Sequence, residues 1–327
     1  MKKQIIAAAI AASMSAVALA DISITGKAEF NYTHTDLDSA GQNDSDKFKQ
    51  DMQINLKGKS GDSEVVMVFG GTDNTGSASA VSTFNVEDAY LSTKIADVSI
   101  KTGQWDNGDN ELRASSRAGG KFSASTSFGP IGVTYDAANE ANDTVKVSAS
   151  MGPVSASYKD VKTGEDITLA ASMSGVSVNY LALNRDTANT DRSVVTVSGE
   201  VAGVGIRYGQ AKADSATCID GNSWMGDFEN GYACDSTNNT NDAYDLSKGQ
   251  DVTTLELKTS LAGNTVTFRN TNIDGVTGED TSFNKFIVTR PLANGTTFEA
   301  TYTALSDDGA NTQTDGNTLD LELRVAF

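Results

Sequence analysis

The carboxy-terminal stretch LDLELRVAF, residues 319–327, sets the terms for the whole chain. Leu319, Leu321, Leu323, Val325 and Phe327 alternate with Asp320, Glu322, Arg324 and Ala326. Successive side chains of a strand point to opposite faces, so this segment reads as a strand with one greasy face and one charged face. Either a second sheet or lipid could receive the greasy face. The same alternation recurs along the chain. Ile22, Ile24, Ala28, Phe30 and Tyr32 share a face, and Ser23, Thr25, Lys27, Glu29 and Asn31 share the other. Phe122, Ala124 and Phe128 likewise alternate with Lys121, Ser123 and Ser127, and Val145, Val147 and Met151 with Lys146, Ser148 and Ser150. Slipping by one residue would carry the charges to the greasy face, so register is strongly specified. Three segments, 64–69, 84–95 and 283–289, do not assign their faces.

Turn chemistry cuts the chain into short strands. Tight turns fall at Ser60-Gly61-Asp62, Ile95-Ala96-Asp97, Gly129-Pro130, Gly152-Pro153, Ser174-Gly175, Ala202-Gly203, Ala262-Gly263-Asn264 and 291–295. Between them lie longer connections rich in Asp, Asn, Thr and Gly, the longest at 212–250. Short turns alternating with long polar loops are the rhythm of an up-and-down barrel, with the turns on one rim and the loops on the other. A Greek-key sandwich mixes its connections without that order, and about eighteen strands are too many for one sandwich. The expected fold is all-β, a single transmembrane antiparallel up-and-down β-barrel of 16–18 strands. A secreted β-rich adhesin or surface protein remains the alternative that shares this composition.

The amino terminus points to export. Lys2 and Lys3 precede an uncharged, alanine-rich run that ends in Ala18-Leu19-Ala20, the pattern of a cleaved signal peptide over residues 1–20. The barrel domain would then occupy residues 21–327. Losing the two lysines takes the formal net charge from −18 to −20. No later window reaches the ~18 apolar residues of a spanning helix. Cys218 and Cys234, the only two cysteines, lie in one polar segment of an exported chain and read as a disulfide. Such a bridge would close a loop of about 15 residues, worth about 3 kcal/mol in the chain-entropy account.

Three stretches resemble the general porins of Gram-negative outer membranes: DISITGKAEFNY at 21–32, NVEDAYLSTKIADVSIKTGQW at 85–105 and LELRVAF at 321–327. They resemble, in order, that family's opening strand, the unit before its third external loop, and its closing strand. The resemblance implies an outer-membrane, water-filled channel for passive diffusion of small hydrophilic solutes and ions. It also implies a homotrimer, commonly of sixteen-stranded barrels, and recognition of the terminal Phe327 by the barrel-assembly machinery. A substrate-specific outer-membrane channel is the variant reading. In the family, acidic groups of the third external loop face basic groups of the wall. The matching segment offers Asp106, Asp109 and Glu111 as the acidic side, with Arg113 and Arg117 close behind.

Strand parity points Lys27, Lys57, Lys101, Lys121, Arg207, Arg269 and Arg324 into the lumen as the basic side. The same parity places Glu29, Glu256, Glu299 and Glu322 there as well. Most of the excess acid falls in the long loops, so the entrance should attract cations over a Debye length of about 8–10 Å and give a mild cation preference. Clustered carboxylates suit at most weak Ca²⁺ binding, since no segment has EF-hand spacing; no other cofactor is called for. The acidity argues against nucleic acid as a partner. An enzyme is not expected: His34 is the sole histidine and no G-x-S-x-G elbow is present.

Overall fold

The computed structural model describes residues 21–37, 44–73, 85–106, 112, 117–138, 143–214, 224–225, 251–274, 280–307 and 316–327. Eighteen strands run through them. They are β1 (Asp21–Leu37), β2 (Ser45–Ser60), β3 (Ser63–Asp73), β4 (Asn85–Ile95), β5 (Val98–Asp106) and β6 (Arg117–Phe128). Next come β7 (Ile131–Ala138), β8 (Thr144–Met151), β9 (Val154–Val161), β10 (Gly164–Met173), β11 (Val176–Arg185) and β12 (Arg192–Val201). The last six are β13 (Val204–Ala213), β14 (Asp251–Leu261), β15 (Asn264–Asp274), β16 (Asp280–Pro291), β17 (Thr296–Asp307) and β18 (Gly316–Ala326).

Each strand pairs antiparallel with its sequence neighbours, and β18 returns to pair with β1, from Lys27↔Ala326 to Leu37↔Gly316. The sheet is therefore closed, which removes the free edges that an open sheet would expose. The expected barrel holds, with eighteen strands rather than the sixteen common in the family that the sequence resembles.

All eight tight turns fall where turn chemistry placed them. Ser174-Gly175, Ala202-Gly203 and Ala262-Gly263 have positive φ at both central residues, the hairpin geometry whose twist matches that of the flanking strands. One expectation fails at the opposite rim. There β9 and β10 are joined by a two-residue turn, Lys162-Thr163, instead of a long loop.

The apolar face of the strands points outward. Ile22, Ile24, Phe30, Phe48, Met52, Val147, Phe286, Leu319 and Leu323 are all exposed. Among the described residues no helix is long and apolar enough to cross a membrane, which says nothing of strands. A continuous exposed apolar wall on a closed sheet is the arrangement that lipid, not water, receives. The opposite faces line the interior. The unassigned strands are now placed by register: Lys57 pairs Val66 and Asn55 pairs Val68, so β3 turns valines inward. On β16, Phe283 and Lys285 face inward beside Thr271 and Arg269.

Candidate pore and its lining

The interior begins with ion pairs along its wall. Lys27 Nζ lies 3.1 Å from Glu29 Oε1, and Arg324 reaches the same oxygen at 2.7 Å and Glu322 at 2.7 Å. Lys57 meets Glu64 at 2.7 Å. These three basic residues point inward as parity requires, but each is matched by a carboxylate on its own or a neighbouring strand. They form a neutralised, hydrophilic wall.

A second group forms on β4–β6. Lys101 Nζ stands 3.7 Å from the centre of the Tyr90 ring and 4.5 Å from that of Trp105, a cation–π sandwich. Lys121 Nζ donates to the Trp105 carbonyl at 2.7 Å. The acidic partners here come from an irregularity that the sequence did not reveal. The β3–β4 register shifts between Val68 and Phe69, and the bulge turns two consecutive residues inward, Glu87 and Asp88. Gln53 donates to Glu87 Oε2 at 2.8 Å, and the Asp106 amide donates to Asp88 Oδ1 at 3.2 Å. Gly70 leaves the room that the Glu87 carboxyl occupies, since a Cβ there would overlap it.

Across the barrel the balance is basic. β13 is nine strands from β4 in a ring of eighteen, so the two stand on opposite walls. Arg207 of β13 lies 3.4 Å from Glu256 Oε1, while Arg269 of β15 holds Glu256 Oε2 through Nε at 3.2 Å and Nη2 at 2.8 Å. Two guanidinium groups thus share one carboxylate, and Lys285 sits beside Arg269 in the next strand.

The outer part of this wall is apolar, contrary to the expected polar lumen. Leu183, Val194, Ala211, Val252 and Ile273, on consecutive strands from β11 to β15, are buried on the inward face. They are covered by two segments lying between strands. Leu112, from the β5–β6 connection, is 0% exposed, and Met225, from the β13–β14 connection, is 2% exposed. Their backbones are tied down as well. Arg192 Nη1 donates to the Leu112 carbonyl at 2.9 Å. Thr254 and Thr271 both donate to the Met225 carbonyl, at 2.6 and 3.0 Å. Trp224 lies over Arg207, ring centre to Cζ 4.5 Å. Gly209 supplies the notch, because a Cβ there would stand 2.6 Å from Met225 Sδ and 3.0 Å from Trp224.

Several expected site residues fall outside the description. Asp109, Glu111, Arg113, Cys218 and Cys234 lie beyond the described residues. Asp106 ends β5, with Arg117 opposite it in register at the start of β6. The lone histidine sits at the rim: His34 Nδ1 donates to Asp46 Oδ1 at 2.8 Å, and the Tyr32 hydroxyl donates to the same oxygen at 2.8 Å. That hydrogen bond from the imidazole raises the pKa of His34 and lowers that of Asp46. Among the described residues no group of three or more His, Cys, Asp or Glu could hold a metal.

The fold has many solved counterparts. Pseudomonas aeruginosa OccK9 (OpdG) superposes with a TM-score of 0.68 at 11% identity, covering 94% of this chain and 98% of that one. A BenF-like porin from Pseudomonas fluorescens Pf-5 gives 0.65 at 11%, covering 94% and 99%. Acinetobacter baumannii OccAB4 gives 0.65 at 8%, covering 94% and 98%. The chain has an outer-membrane porin fold. No protein-family model and no curated protein matches it. Inside the closed sheet, Glu87 and Asp88 of β4 stand opposite Arg207 of β13, and Leu112 and Met225 lie against the inner wall.

Proposed function

We propose that the chain is a solute-selective channel of the outer membrane, exported by a signal peptide at residues 1–20, and that it passes small hydrophilic solutes carrying charge. The observation that carries this reading is the seating of Leu112 and Met225 against the inner wall by Arg192, Thr254 and Thr271. An open sieve has no use for a water-shielded apolar ledge inside its lumen, whereas a channel that fixes its narrowest cross-section needs one. Acid on β4 facing base on β13–β16 sets a field across the passage. That field favours solutes that bring compensating charges and costs neutral apolar ones their hydration. The acidic outer loops add a mild preference for cations at the entrance.

Two measurements in planar bilayers and liposomes test the reading. Reversal potentials in a salt gradient should show weak cation preference; anion preference contradicts the role given to the acidic loops. Liposome swelling should be faster with zwitterionic solutes than with neutral sugars of equal size, and equal rates would return the protein to the class of general diffusion pores.

A further inference from the structure

The inward row of β5 runs Lys101, Gly103, Trp105, and its middle member has no side chain. Gly103 has a φ of +133°, and a Cβ there would collide with the Ala89 carbonyl and the Tyr90 backbone. The gap lets the Tyr90 ring of β4 and the Trp105 ring stand edge to face, centres 6.3 Å apart and planes at 74°. Tyr90, Lys101 and Trp105 all stay partly exposed, so the recess between the rings opens on the interior. What fills it is a cation, with Lys101 Nζ 3.7 Å from the Tyr90 ring centre and 4.5 Å from that of Trp105. Other inward lysines reach an oxygen: Lys27 on Glu29, Lys57 on Glu64, Lys121 on the Trp105 carbonyl. Lys101 has neither hydrogen bond nor ion pair among the described residues. Asp88 and Glu64 attract it from beyond contact distance.

A primary ammonium gives up hydrogen bonds to water when it sits where no acceptor meets it. A quaternary ammonium has no N–H to lose, and aromatic faces are what recognise it. The recess therefore suits a quaternary group better than the lysine that occupies it. From this mismatch we infer that the Tyr90–Trp105 recess binds the quaternary ammonium group of solutes entering the channel, and that Lys101 fills it when no solute does. The inference rests on the selective-channel reading above and names a solute class for it. Lys101 hangs on a flexible four-carbon stem, so its head can withdraw into water when a solute arrives. Asp88 and Glu64 then turn on the incoming cation the attraction they had for the lysine.

The test reads Trp105 itself, because Trp224→Phe leaves it the only tryptophan of the full chain. In detergent micelles tetramethylammonium chloride should change its emission saturably, and sodium chloride of equal ionic strength should not. Lys101→Met, which empties the recess, should tighten binding by about tenfold, and Tyr90→Leu added to it should abolish the gain. No saturable signal in Lys101→Met overturns the inference, as does equal binding with and without the Tyr90 ring. If Lys101→Met does not fold, sodium current in planar bilayers decides. Tetramethylammonium should reduce that current saturably in the wild type and not in Tyr90→Leu; the same effect in both, or none in either, overturns the site. Saturable binding together with equal swelling rates for zwitterionic and neutral solutes keeps the recess and rejects the selective-channel reading. Faster swelling with zwitterions and no tetramethylammonium signal rejects the recess alone.

Discussion

Phe327 lies on Gly26. The two residues exchange backbone hydrogen bonds, Gly26 N to Phe327 O at 2.8 Å and Phe327 N to Gly26 O at 3.0 Å, at the seam where β1 meets the chain terminus. The terminal ring covers the space that a side chain at position 26 would need, since a Cβ there would stand well inside van der Waals contact with the ring. Ring and notch together extend the closure of the barrel by one pair beyond the Lys27–Ala326 register.

Gly26→Val should therefore interfere with closure. The valine must displace both the ring and the Gln53 carbonyl behind it, and overpacking of this kind costs about 1–3 kcal/mol. Heat-modifiable migration on gels checks it: the folded, fast-running band should weaken in Gly26→Val and to a similar degree when Phe327 is replaced by Ala. A folded fraction equal to wild type for Gly26→Val would mean that the seam does not depend on this notch.

Gly209→Leu should widen the channel. The larger side chain occupies the place of Met225 and Trp224, so these two residues leave the wall and single-channel conductance rises. Thr254→Val is the milder version. It removes one of two donors to the Met225 carbonyl, a loss of about 1 kcal/mol. Its conductance should be noisier but close to wild type. Unchanged conductance in Gly209→Leu would show that these residues do not narrow the passage.

These two glycines also mark what the sequence discloses. Strands, turns and closure are written locally, in period-two alternation and in Gly, Pro and Asn at hairpin positions, and they are legible one segment at a time. The packing of Leu112 and Met225 against the inner wall is not. Leu183, Val194, Val252 and Ile273 sit on the inward parity of their strands, so near the outer ends the alternation fades into runs such as Leu181–Leu183 and Val194–Val195. Those runs are the only trace of a docked segment, and they do not say which loop fills them. Glu87 and Asp88 escape for a different reason. A bulge puts two neighbours on one face, which a strict alternation forbids. Parity puts basic residues on the inward face, but it does not show that Lys27, Lys57 and Arg324 are matched by carboxylates while Arg207 and Arg269 share one.

Glu256→Gln should shift selectivity toward anions. The carboxylate is almost enclosed between Arg207 and Arg269, and neutralising it leaves two guanidinium groups facing the passage opposite Glu87 and Asp88. Reversal potentials should move on the order of twofold in permeability ratio toward the anion. Arg269→Gln should move them the other way. Shifts of the same sign in both variants would contradict the assignment of this cluster to the permeation path.

His34 gives a pH-dependent readout at the rim without touching the pore. Its pKa is raised first by the hydrogen bond to Asp46, and that of Asp46 is lowered first by the same bond. A raised histidine stabilises the folded pair below the ordinary imidazole pKa and loses that contribution as pH climbs through the raised value. A lowered carboxylate contributes above the ordinary carboxylate range and loses it as pH falls. The pair is thus fully formed between those two limits. Because His34 is the only histidine in the chain, its imidazole resonance can be followed alone in detergent micelles. It should titrate above the free-imidazole value of about 6.5 in the wild type and move back toward it in Asp46→Asn. His34→Ala should leave conductance unchanged, since the imidazole lies outside the barrel wall beside Tyr32. A titration that ignores Asp46→Asn would mean that the contact with Asp46 does not persist in the membrane-inserted protein.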